Sequence, residues 1–173
     1  MVMPFDNFTG SDTLEYLVAG IHAALISNIQ KVSELKVKCK TTATAYKDSE
    51  KSIPEIASEL GVNVIVEGSV LSVGDSINLQ LGLVSTYDEE QLWIKEYHVE
   101  ISRILNLYNE ITKEIAKEID VALTPQEEIL LAESTTVDRK AYEAYLKGRH
   151  YYDQLSKESL EKAEENFNIA IEI

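Results

Sequence analysis

The side chains best equipped for chemistry are thinly spread through this chain. His22, His98 and His150 are scattered, and no two of them stand at the spacing of metal ligands. Cys39 is the single cysteine, so it has no partner for an internal disulfide and no neighbour for a metal motif. In Leu35-Lys-Val-Lys-Cys-Lys40, alternation puts Leu35, Val37 and Cys39 on one face, which predicts a small buried hydrophobe rather than a reactive thiol. There is no Gly-x-Ser-x-Gly elbow, no Gly-x-Gly-x-x-Gly and no P-loop. Asp6, Asp12 and Glu15 gather where a strand gives way to a helix. Such acids could exchange protons or hold a cation, but acids at a helix start ordinarily cap it and complement its dipole. Glu67 stands among apolar residues before Gly68, and alternation groups it with Asn63 and Val73 on the solvated side. Gly68 predicts a bulge or a close helix–sheet approach. What remains is a candidate ligand or partner surface of Asp6, Asn7 and Thr9 with Thr41, Thr42 and Tyr46, beside strand ends, where open α/β sheets bind small molecules. No catalytic residue, metal ligand or cofactor is expected, and the chain reads as non-enzymatic.

The elements that position these residues follow from periodicity. Met1 to Phe5 reads as a strand end, and the chain reads as a fragment of a longer protein. Ser11 or Asp12 then caps a helix reaching about Gln30, with an apolar stripe through Leu17, Ile21 and Leu25. Leu35 to Lys40 reads as a strand and Thr41 to Tyr46 as a helical turn. A short helix starts at Pro54 and stops at Gly61. Three strands follow in a meander: Val62 to Val73, Ser76 to Tyr87 and Leu92 to Val99, the first two joined by Gly74-Asp75. In the second strand Ile77, Leu79, Leu81 and Leu83 share a face. From Ile101 the period changes to that of a helix, and Thr124-Pro125 starts another. After the polar linker Ser134 to Asp138, two helices at 138–154 and 157–173 form a hairpin. The fold class is α/β (α+β): a mixed sheet of about five strands, a C-terminal antiparallel meander, packed helices, and a helical hairpin appended.

Charge narrows the partners. The chain has 16 basic and 30 acidic residues, and both halves are acidic. Phosphate backbones are bound by clustered Lys and Arg, so nucleic acid and anionic membranes are poor partners for this segment. No apolar run reaches membrane-spanning length.

Several segments together resemble a known family. Met3-Pro-Phe-Asp-Asn-Phe-Thr-Gly10, Thr41-Thr-Ala-Thr-Ala-Tyr-Lys47, Glu59-Leu-Gly-Val62 with Val66-Glu-Gly-Ser-Val70, and Leu92-Trp93 with Tyr97 look like the motifs of the TolB N-terminal-like domain, related to the FlgO-type domain. The resemblance covers residues 1–133. It implies a bacterial multidomain protein in which this domain follows a cyclase or winged-helix domain and precedes a tetratricopeptide (TPR) array. Residues 134–173 then resemble a linker and first TPR hairpin. Gly148, Tyr151, Ala163, Phe167 and Ala170 match the small and large residues of that repeat, while the turn is about three residues longer than the consensus spacing and Ala144 or Tyr145 stands where the signature has tryptophan.

The family carries no catalytic residues onto this chain. The expected function is an interaction or sensory module, binding protein or peptide partners through the array. The alternative is a small-ligand domain, with a nucleotide or metabolite pocket near Pro4 to Asp12 and Thr41 to Tyr46. One repeat cannot bury its own stacking face, so it should lean on the α/β part or form a homodimer through the exposed face. The compartment stays open between bacterial cytoplasm and periplasm.

Overall fold

Ten-residue strands with a leucine-rich face build the centre of the molecule. The computed structural model describes residues 1–10 and 14–173. Strand β2 (Val64–Val73) pairs antiparallel with β3 (Ser76–Ser85), and β3 with β4 (Gln91–Glu100). The β2–β3 turn needs only two residues because Gly74 takes φ 61°. The short strand β1 (Asp6–Asn7) runs parallel to β2, giving the sheet order β1-β2-β3-β4. Ile77, Leu79, Leu81 and Leu83 are all fully buried, as their alternation predicts. Against them lie α1 (Glu15–Ile29), through Leu17, Ile21 and Leu25, and α4 (Ile104–Glu118), through Ile104, Leu107 and Ile111. Ile65 is buried instead with Met1, Ala43 and Ile56 in a smaller cluster. There α2 (Lys40–Thr44) and α3 (Ile53–Leu60) pack. Helix α3 is closed by a Ser52–Glu55 capping box at one end and by Gly61, at φ 60°, at the other.

The sheet has four strands among the described residues, not about five. Residues 35–39 belong to no helix and no ladder. Leu35 and Val37 still pack on the core. Alternation serves a one-sided covering segment as well as a strand, and β1, beside β2 at the sheet edge, is two residues long. Cys39 is exposed rather than buried, because no sheet holds its side of the segment inward. The Thr42 hydroxyl, 3.3 Å from its sulfur, holds its thiol below the ordinary value. The pairing at the N-terminus is interrupted rather than continuous from Met1. Val2 bridges Val66 and Asp6 pairs with Ser69, so the first segment spends four residues where β2 spends three. Pro4, which has no N–H to offer, lies in that irregularity. Glu67 is exposed, as alternation predicts. At Gly68 the β2–β3 register is unbroken, so there is no bulge. A Cβ there would stand 2.6 Å from Leu81 and 3.1 Å from Phe5. The proposed cap at Ser11 or Asp12 lies outside the described residues.

Helix α5 (Pro125–Ala132) folds back from α4. Its Thr124–Glu127 capping box is complete, and the Glu127 carboxylate also accepts the backbone N–H of Ser33 at 2.7 Å. These bonds, the one from Ser33 foremost, hold its carboxyl down to about 2. The chain then forms α6 (Arg139–Tyr152) and α7 (Lys157–Glu172), a tightly paired helical hairpin whose α6 lies against α1.

Candidate functional site

The chemistry-bearing side chains gather at the seam where α6 meets α1 and in a cleft beside it. The seam is built on small side chains. Ala19, Gly20, Ala23, Ala24 and Ser27 lie along the side of α1 that faces α6. Leu146 of α6 fills the notch at Gly20, where a Cβ would stand 2.7 Å from its Cδ2. Leu146 is 2% exposed and joins the main core, as does Tyr142. The hydroxyls of Tyr142 and Tyr108 share a buried hydrogen bond at 3.0 Å. Burial pushes Tyr142 up to about 12 and also raises Tyr108 well above its ordinary value, so both stay protonated and one donates to the other.

Ion pairs fix α6 near both ends. Arg139, in its first turn, pairs with Asp75 in the β2–β3 turn and with Glu143, 2.7 Å away. Asp153, just past its last turn, pairs with Lys40 at the start of α2, at 2.6 Å. Between α1 and α6 a cavity of about 220 Å³ remains, bordered on its polar side by Lys31, Lys40, Arg149 and His150.

On the other side of Lys40 opens a cleft of about 330 Å³. Its walls are β1 and the residues leading into it (Pro4, Phe5, Asn7), the first half of α1 (Glu15, Val18, His22) and one face of α2 and its exit (Lys40, Thr44, Lys47). His22 is buried, with its ring edge-on to Phe5 at 5.4 Å. Its Nε2 lies 3.1 Å from the Val2 carbonyl. A carbonyl only accepts, so Nε2 carries the proton and Nδ1 is the acceptor. Burial is the main cause that lowers its pKa, which keeps the imidazole neutral at physiological pH.

The sequence-predicted ligand residues are only partly brought to this cleft. Asn7 lines it, and its Oδ1 accepts from the Thr9 N–H (3.0 Å) and hydroxyl (2.6 Å). Asp6 pairs with Ser69 in the sheet and is exposed. Thr41 is exposed, and Thr42 sits by Cys39. Tyr46 turns toward α3, where its hydroxyl donates to Glu59 at 2.8 Å. Lys40, Thr44 and Lys47 were missed by sequence reasoning. Their spacing of four and then three residues is the signal that they share a helical face. Gly20 was missed too, although a glycine inside a helix costs about 1 kcal/mol relative to alanine and so points to a packing reason.

In the hairpin, Gly148 receives the ring of Phe167, whose carbons stand 2.6 Å from where a Cβ would be. Ala163 is buried, Tyr151 and Ala170 are half-buried, and Lys162 lies over the Tyr151 ring at 5.7 Å. Tyr145 stacks between Tyr142 and Phe167 at 6.3 and 6.2 Å. The three histidines stay apart: His98 bonds Asn78 on the sheet, and His150 lies beside Gln154. No group of three or more His, Cys, Asp or Glu side chains suited to a metal occurs among the described residues. Among them, too, no helix is long and apolar enough to cross a membrane.

No protein-family model matches the chain. Over 172 residues it is 29% identical to the putative adenylate cyclase 3 of Rhizobium meliloti (strain 1021). That match covers 99% of this chain and 29% of the relative, so the chain spans under a third of that protein's length. Among solved structures it is similar to TolB from Acinetobacter baumannii, with a TM-score of 0.52 and 13% identity, over 68% of this chain and 27% of that one. Lipoprotein GNA1162 from Neisseria meningitidis aligns with a TM-score of 0.49 and 11% identity, over 69% and 95%. The likeness to TolB is distant and is one of fold.

Proposed function

We propose that the chain is a non-catalytic interaction and sensory module of a bacterial multidomain signalling or regulatory protein. In this reading residues 1–133 are a TolB N-terminal-like body and 134–173 open a TPR array. The body couples partner binding by that array to an output domain upstream. The observation that carries the reading is the α1–α6 seam: Leu146 seated at Gly20 makes the hairpin a continuation of the core, so a load on the hairpin reaches the sheet. A cyclase output is supported by the match to part of a putative adenylate cyclase. The exposed side of α7, with Leu160, Ile169 and Ile171, is where further repeats or a second copy would pack.

The test uses the full-length protein and the 173-residue chain. In the full-length protein, Leu146→Ala should change the output, cyclic-nucleotide formation or DNA binding, although the residue lies outside the output domain. An unchanged output overturns the coupling. Cyclic-nucleotide formation by the 173-residue chain alone, supplied with ATP and Mg²⁺, overturns its non-catalytic character.

A second reading, a small-ligand domain, is favoured by the cleft at the end of β1. Its volume of about 330 Å³ falls within the usual range of ligand pockets, and apolar and hydrogen-bonding side chains share its walls. Thermal-shift screening against nucleotides and metabolites tests it, and no shift with any compound counts against it.

A further inference from the structure

The cleft beside β1 has a charge character opposite to that of the chain. Among the described residues, four cations (Lys31, Lys40, Lys47 and Arg149) and two acids (Glu15 and Asp153) stand around it and the adjoining cavity, in a chain with 16 basic and 30 acidic residues. Within the cleft, Lys40 and Lys47 project from one face of the α2 segment. Lys47 has no ion pair among the described residues, whereas Lys40 is held by Asp153 of the hairpin. The buried His22 borders the same space, its Nε2–H committed to the Val2 carbonyl.

We propose that this cleft binds a small phosphate-bearing molecule between Lys40 and Lys47, and that the phosphate takes Lys40 away from Asp153. Lysine ammonium groups bind phosphate as point charges, and two of them at one mouth suit a dianion. Lys40 is 37% exposed and Asp153 42%, so their pair is weakly held and yields to a ligand of higher charge. Its release frees one of the two ion-paired ends of α6. The end of the hairpin would then loosen while Arg139–Asp75 still holds the other end, giving ligand occupancy a route to the hairpin. This inference rests on the second reading above and adds the ligand's chemistry and its effect.

The experiment is a titration of the isotopically labelled 173-residue chain with inorganic phosphate and with AMP, followed by amide chemical shifts. Sodium chloride of matched ionic strength is the control. Saturable shifts at residues 40–47 are expected, tighter for AMP if the ligand is an organic phosphate and equal if it is the free ion. Lys47→Gln and Lys40→Gln should each weaken binding about tenfold, with Lys47→Arg retaining it and so separating lost charge from lost structure. Asp153→Asn should tighten binding about two- to fivefold by removing the competitor. Hydrogen exchange at residues 149–153 should quicken on saturation. Shifts reproduced by chloride, or an affinity indifferent to both Lys47→Gln and Asp153→Asn, overturn the proposal. A thermal shift with an uncharged metabolite while phosphate and AMP are inert overturns it as well, yet leaves the small-ligand reading standing.

Discussion

Two glycines do the same mechanical job with different results. Gly20 on α1 admits Leu146, and Gly148 on α6 admits Phe167. The first contact is sealed: Leu146 is buried on all sides and belongs to the main core. The second is open on one flank, with Phe167 half-buried and Leu160 and Ile171 exposed nearby on α7. A helix that must remain attached is buried around its notch, and a helix left with an apolar flank has room for another surface. The difference locates the stable attachment on α6 and the adaptable face on α7.

Mutations can break that contrast. Leu146→Ala should have the largest effect, costing about 2–5 kcal/mol as a cavity opens in the core, seen as a lower denaturant midpoint for the whole chain. A loss confined to α6 and α7 would show that the seam is not part of the cooperative core. Gly148→Val should cost about 1–3 kcal/mol by overpacking against a rigid ring. Its damage should be local, with faster hydrogen exchange in α7 and unchanged exchange in β3. Equal protection losses in both would erase the distinction between the notches.

Smaller effects sharpen the comparison. Glu127→Gln should destabilise the chain less than Leu146→Ala, and in a pH-dependent way. The folded carboxyl is held to about 2 against an ordinary 4.5. Its contribution is therefore complete above about 4.5 and is lost as pH falls through about 2. Wild type and variant should differ most in thermal midpoint near neutrality and converge in acid. A gap constant from pH 7 to pH 2 would mean that charge is not the cause. Arg139→Ala should cost least, about 0.2–1 kcal/mol, and its effect should shrink in high salt, because Asp75 is largely exposed.

Much of this was legible in the sequence, for reasons that differ by element. The meander could be read because Ile77, Leu79, Leu81 and Leu83 are all buried on one face of β3 while Asn78 and Gln80 between them are not. Helices α3 and α5 announced their ends through Pro54, Gly61 and Thr124-Pro125. The segment at 35–39 was misread because apolar alternation reports one-sided burial and not hydrogen-bond pairing. Cys39 was misplaced by the same error. In the candidate site, Asn7 was found through its place at a strand end. Tyr46 was not seen to face α3, since that orientation depends on Glu59, thirteen residues away. Lys40–Asp153 joins residues 113 positions apart, and local pattern says nothing about such a pair.

The shortness of β1 has a consequence for the order of assembly. Strands β2, β3 and β4 are neighbours in sequence and can zip together through small loops. Asp6 must close a loop of 63 residues to reach Ser69, an entropic cost repaid by only a short ladder. The first strand is therefore expected to join the sheet last and to leave it first. Since Pro4, Phe5 and Asn7 wall the cleft, the cleft is complete only when that late step has occurred.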